Sequence, residues 1–340
     1  SWLSVAAVRG WSWGNCQLLV SFIILRGTQY GLNAVIREQR WGSNEAGPIF
    51  HHFGRNMPIG VGASQDDDAA LAYCLGELRR EDRDRYLTLL FAPKAQRVVL
   101  AALYAFNLEC ARAVTAGGEQ PLLGRMRLQW WRDALGTPSE KPSQPVLAIL
   151  AKRPELTPEL GKLLAARERD LTDGPFAALA DVIGHAQDTG GALAALAVAE
   201  LGGGHAAAAR AAGTAYALAG MLRAIPYQAP GRRFQGRLCL PRDMLVGEGL
   251  TPDDVWTGRK IAAVSGCVRM IAAAAALELA KLRDLHGVGP ALSPLLHGSL
   301  ASAYLKRLAK ADFNPFSPNL ALPPYSRPLL LSWRALLRRP

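Results

Sequence analysis

The sequence predicts an all-α protein, and three observations carry that prediction. Half of the 340 residues are hydrophobic, much of that share Ala and Leu, while the β-branched and aromatic residues that favour strands are thin. From about residue 66 to 312 the chain runs as apolar stretches of helical period, separated by breaks that carry Gly or Pro. No strand–turn–strand pattern and no internal repeat interrupts that succession.

The period places helices over 66–80, 83–91, 94–115, 119–135, 144–152 and 158–170. Further helices are expected over 175–186, 189–201, 205–224, 251–285 and 293–311. Within the 251–285 segment, "IAAVSGCVRMIAAAAALELAKL" is apolar almost all round, which predicts a central core helix. "QDDDAALAYC" (65–74) does not read as a metal motif, because three adjacent aspartates point three ways around a helix. Acids in a first turn instead meet the positive end of the helix dipole.

A formal net charge of +11 makes the surface attractive to anions such as phosphates, diphosphates and anionic lipid headgroups. Nucleic acid is not expected as a partner, since there is no zinc-finger spacing, no aromatic RNA-binding strand and no Lys-rich tail. The five cysteines (Cys16, Cys74, Cys110, Cys239 and Cys267) are scattered, odd in number and without a CxxC. That points to a reducing compartment, with most of them acting as small buried hydrophobes. The six histidines show no ligand spacing.

Residues 1–56 form an extension of different character. From Ser1 to Arg37 there is no acid, and three of the eight tryptophans fall there. The apolar run "LLVSFIIL" (18–25) is too short to span a bilayer. A targeting peptide, an interfacial anchor and an over-extended gene start ahead of Met57 are all open readings. A helical domain over 57–312 follows, and then a basic amphipathic tail over 313–340. Its "PPYSRPLLLSWRALLRRP" suits a short helix on an anionic membrane surface, or equally a helix docked on its own domain. Between two helices, "PYQAPGRRFQGRLCLPRDML" (226–245) reads as a basic flap over something anionic or as a solvated loop.

Three stretches in order resemble the squalene/phytoene synthase family of head-to-head prenyl transferases. They are "DRDRYLTLLFAPKAQRVVLAALYAFN" (82–107), "RLQWWRDAL" (127–135) and "AGMLRAIPYQAPGRRFQGRLCLP" (219–241). The resemblance spans about 70–312 and implies a single isoprenoid-synthase-type helical bundle around a central cavity. Enzymes of this family hold magnesium ions with aspartates at i and i+4 on two facing helices, and the ions neutralise a departing diphosphate. Here the family's first set of acids falls on Ala111, Arg112 and Thr115, and the second on Ala224 and Gln228, beside a retained Arg223. None of the five is a carboxylate, so no cofactor is expected. Magnesium would be required only if the chain were an active phytoene or squalene synthase. That alternative needs rescue ligands, and the candidates are Glu109, Asp170 and Asp173. Glu109 lies about 200° around the helix from Ala111 and cannot simply replace it.

The wording "LYAFN-E-AR" and the segment "F-PF-P-LALP" (313–323) are similar to the branch of the family that has lost its acids, which includes mitochondrial complex I assembly factors. This resemblance implies a non-catalytic protein that binds a prenyl diphosphate, a lipid-like ligand or a membrane partner and assists respiratory complex I assembly. The implied partners are that ligand, an anionic membrane surface and a respiratory membrane-protein subunit. The implied location is the inner membrane's cytoplasmic face in a bacterium, or the mitochondrial matrix side in a eukaryote. Candidate ligand contacts are Arg85, Tyr86, Arg112, Arg223, Arg232, Arg233 and Arg237, with Trp130, Trp131 and Tyr227 as cavity candidates. Each has a structural alternative. Arg85 pairs with Asp82 or Glu81, Arg112 pairs with Glu109 or Asp170, and one of the two tryptophans packs in the core.

Overall fold

The computed structural model describes residues 65–116, 120–137, 142–172, 174–229 and 237–340, all within one compact unit, Pro58–Pro340. The described residues form helices, turns and bends, with no strand among them. The helices are α1 Gln65–Glu81, α2 Arg83–Leu89, α3 Arg97–Ala116, α4 Pro121–Gly136, α5 Pro145–Leu150, α6 Thr157–Glu168 and α7 Leu179–Ala186. A π-helical turn at Gln187–Gly191 joins α7 to α8, Ala192–Ala199. Then come α9 Ala206–Ala224, α10 Arg242–Gly247, α11 Pro252–Trp256, α12 Ile261–Ala280, α13 Leu292–Lys310 and α14 Ser326–Leu336.

Local chemistry sets many of the boundaries. Asp82 caps α2 by accepting the amide of Arg85 at 3.2 Å. Proline opens α4, α5 and α11, where its missing N–H costs nothing. The expected helix 251–285 is two helices. Thr251 and Asp254 cap α11 reciprocally, and the chain then turns through left-handed Gly258 and Lys260 before α12 begins. The break falls at the polar stretch Thr257–Lys260, with the long apolar run beginning only at Ile261.

The core has two main parts. One gathers α1 and α3–α6 around Leu100, Leu103, Phe106, Leu128, Trp131 and Leu164. The other gathers α7, α9, α10 and α12 around Val182, Leu218, Leu222, Leu240, Val264 and Ile271. The central helix is α9 rather than α12, because α9 packs against α8, α12, α13 and the π turn. α12 buries Val264, Val268 and Ile271 on one side but leaves Met270 and Leu277 exposed on the other, so its all-round apolar character does not translate into all-round burial. α9 meets the π turn at Gly213 and Gly190, where a Cβ on Gly213 would stand 2.2 Å from the Gly190 carbonyl oxygen. The tail segment is the docked helix of the two readings. α14 packs on α2 and α13 and buries Leu331 completely.

Candidate functional site

A cavity of about 530 Å³ is walled by residues from both parts of the core. Its walls come from the end of α1, α2, α3, α7 with the π turn, α9, the 237–239 segment and α14. Four of the five positions where the family's acids would fall, Ala111, Thr115, Ala224 and Gln228, line this one space. The i, i+4 spacing puts Ala111 and Thr115 on a common face of α3, whereas Ala224 ends α9 and Gln228 follows the 3₁₀ turn Ile225–Tyr227. Thr115 spends its hydroxyl on the carbonyl of Ala111 at 2.9 Å. The Oε1 of Gln228 is buried without a hydrogen-bond partner.

The fifth position turns away. Arg112 is absent from the cavity wall and donates to Glu77 at 2.5 Å and to Glu109 at 2.6 Å. One arginine thus uses two acids on the side of α3 that faces α1. Glu109, committed to Arg112, also lies outside the wall. Asp170 does reach the cavity, but its Oδ1 lies 2.9 Å from Nε2 of His185 and its Oδ2 3.3 Å from Nη1 of Arg167. Burial works against its charge, yet His185 and Arg167 outweigh that and hold its carboxyl below the ordinary range. Asp173, Arg232, Arg233 and the 1–56 extension lie outside the described residues.

The basic and aromatic candidates separate clearly. Arg85 lines the cavity and pairs with Asp82 at 2.5 Å; burial opposes its charge, and Asp82 more than restores it. Tyr86, its neighbour, packs instead against the α1–α6 core, because a step of about 100° carries it to the other side of α2. Trp131 is buried edge-on to Phe106 at 5.3 Å. Trp130 is 45% exposed and rests on Trp131, so neither tryptophan lines the cavity. Tyr227 is exposed on the 3₁₀ turn after α9 and also lies outside the wall. Arg237 lines it, but as a clip: it donates to the carbonyls of Gly174, Arg169 and Pro175 and stacks on Phe176.

One part of the wall has no counterpart in the motif reading. Asp84, buried on α2, accepts from the hydroxyls of Tyr216 at 3.0 Å and Tyr304 at 2.7 Å. Nη1 of Arg327, on α14, stands 3.5 Å from its other oxygen, while the Nε of Arg327 is buried without a hydrogen-bond partner. Arg223 stacks on the ring of Tyr304 at 3.9 Å. Asp84 sits inside the "DRDRY" stretch, between Arg83 and Arg85 in the first turn of α2, where nothing in the local sequence marks it as buried. Its partners lie 132, 220 and 243 positions away, so no spacing rule joins them.

A magnesium pair needs several hard oxygen donors on facing helices. Two alanines, a threonine and a glutamine do not supply them, and the acids of the wall, Glu81, Asp82, Asp84 and Asp170, are each paired with arginine. Among the described residues no three His, Cys, Asp or Glu side chains group as a metal set. The donors present do not fit the ions, and no chemical step can be derived through them.

The profile of the squalene/phytoene synthase family matches residues 78–339. The chain belongs to that family. It is 31% identical to NADH dehydrogenase (ubiquinone) complex I, assembly factor 6 of Bos taurus, over 97% of this chain and 98% of that one. The human protein of the same name is 29% identical with the same coverage, and the Rattus norvegicus protein is 33% identical over 77% of this chain and 81% of its own. Among solved structures, a dehydrosqualene synthase in complex with ligand superposes with a TM-score of 0.65 at 15% identity, covering 81% of this chain and 98% of that one. Squalene synthase HpnC of Alicyclobacillus acidocaldarius gives 0.60 at 19%, over 75% and 98%. The fold is therefore the all-helical isoprenoid-synthase fold.

Proposed function

We propose that this chain is a non-catalytic squalene/phytoene-synthase-like protein that assists assembly of respiratory complex I. One observation carries the reading: Ala111, Thr115, Ala224 and Gln228 converge on one cavity and bring it no carboxylate. A leaving diphosphate therefore finds no metal seat there. The relatives that are complex I assembly factors by name support the biological half. The cavity serves binding, with a prenyl or lipid-like molecule as its occupant.

A place beside the respiratory membrane fits the outer side of α14. Tyr325, Leu329, Trp333, Leu336 and Leu337 are exposed along it, with Arg334, Arg338 and Arg339, and no acid follows Asp312 in the chain. That stripe suits the anionic surface of the inner membrane, on the matrix side of a mitochondrion or the cytoplasmic side of a bacterium. A subunit of the complex under assembly is the proposed protein partner.

Two measurements test this. Purified protein with magnesium and labelled farnesyl or geranylgeranyl diphosphate should release no more diphosphate than a protein-free control; turnover defeats the non-catalytic reading. Expression in cells lacking their own assembly factor 6 should restore mature complex I; failure to do so defeats the assembly reading.

A further inference from the structure

α4 is apolar on two sides. Its inner side buries Gly124, Leu128, Trp131 and Leu135 where the helix packs on α3 and α6. Gly124 makes that contact close, since a Cβ there would stand 2.8 Å from the Leu171 side chain. On the outer side Leu122, Met126 and Trp130 follow one another at intervals of four, with Leu123 beside them, and they are 67%, 59%, 45% and 44% exposed. At about 100° per residue the four fill a sector about 100° wide on the side of the helix away from the core.

Arg125 borders that sector on one flank and Arg127 on the other, about 60° and about 40° beyond its edges. Both are exposed, and neither has an ion-pair partner among the described residues. The next arginine behaves differently, because Arg132 turns to Glu168 at 3.1 Å. The first acid of the helix is Asp133, which accepts from Gln129 at 2.6 Å and lies past the end of the stripe.

A contiguous apolar stripe left in water marks a contact surface, and the charge around it selects the partner. Cations on both flanks, a tryptophan in the row and no acid along it match an anionic lipid surface. Arginine stems can lie along the acyl boundary while their guanidiniums reach phosphates, and the row between them enters the layer below.

We propose that the outer face of α4 seats in the interfacial layer of an anionic membrane. Leu122, Leu123, Met126 and Trp130 are the buried row, and Arg125 and Arg127 are its phosphate contacts. This is a second contact beside that of α14, and it rests on the membrane part of the reading above.

Vesicle flotation of the whole protein tests it, with phosphatidylcholine alone and with phosphatidylcholine plus phosphatidylglycerol. Attachment should be tighter to the mixed vesicles. Leu122→Ser with Met126→Ser should weaken it at least about ten-fold, two large apolar side chains being lost from the interface. Arg125→Gln with Arg127→Gln should also weaken it at least about ten-fold, by a factor that shrinks as salt rises. Lipids brominated along their chains should quench the unaltered protein more than Trp130→Phe, a mild change that reads the same face even if a double variant fails to fold. No attachment of the unaltered protein, or equal quenching of the two, overturns the proposal. Attachment that Leu329→Ser with Leu336→Ser abolishes and the α4 changes leave intact overturns it too, while the membrane role of α14 stands. Sedimentation that finds a dimer dissolved by Leu122→Ser with Met126→Ser gives the face to a second copy of the chain and likewise overturns it.

Discussion

Arg112 and Glu77 form an ion pair 2.5 Å long between α3 and α1, which turns the arginine out of the cavity that its sequence neighbours line. Glu109 completes the arrangement from one turn earlier on α3. Arg112→Ala leaves two partly buried carboxylates short of a partner, although Arg80 still serves Glu77. The expected outcome is a loss of about 1–2 kcal/mol, read by urea denaturation.

The crossing of α9 and the π turn sets a sharper test. Gly213→Ala drives a Cβ into the backbone of Gly190, which cannot swing aside. A loss of about 3 kcal/mol or more is expected, or failure to fold. Gly266→Ala on α12 meets nothing within 4 Å and should raise stability by about 0.5–1 kcal/mol through helix propensity. Paired melting curves read both.

Acid sensitivity should trace in part to His297. Its ring is buried between Tyr104 and Tyr216, with Nδ1 2.8 Å from the Pro294 carbonyl and Nε2 3.3 Å from the Thr88 hydroxyl. Burial, and then the nearby Arg85, push its pKa down to about 4, against the weaker pull of Asp82 and Asp84. The unfolded chain takes up this proton near pH 6.5, while the folded chain refuses it until about 4. Protons therefore favour unfolding, and stability falls as pH drops through that window, by about 3 kcal/mol at most. His297→Gln should flatten the decline between 6.5 and 4. The paired Asp170 contributes a separate loss at lower pH, as its depressed carboxyl protonates.

Restoring the acids tests whether the two inward faces still oppose each other. Ala111→Asp, Thr115→Asp, Ala224→Asp and Gln228→Asp together would put four carboxylates around one cavity. Magnesium should then raise the melting temperature of the quadruple variant and leave that of the parent unchanged. A variant that ignores magnesium would show that the faces do not meet at metal distance.

Helix existence was legible along most of the chain because a buried stripe of period 3.6 is a local signal. The inward placement of Ala111, Thr115, Ala224 and Gln228 was legible too, once the family's motif positions were laid on the sequence. What escaped was set by distant partners. Arg112 and Tyr86 sit one residue from cavity positions, and a single helical step carried each to another face. Tyr304 and Arg327 carry no motif, and only the packing of α13 and α14 against α2 brings them to Asp84. The short α10 lies within the irregular stretch 226–245, and the α11–α12 break falls on Thr257–Lys260, a polar stretch whose Gly258 is the local signal for it.

α14 looks from the sequence like an appendage, a greasy basic end that invites trimming. Its inward side nonetheless supplies a wall of the interior through Arg327 and plugs the bundle with Leu331. A fragment ending before Tyr325 would thus be a molecule with an opened chamber and an exposed Asp84, and its behaviour would not report on the intact one.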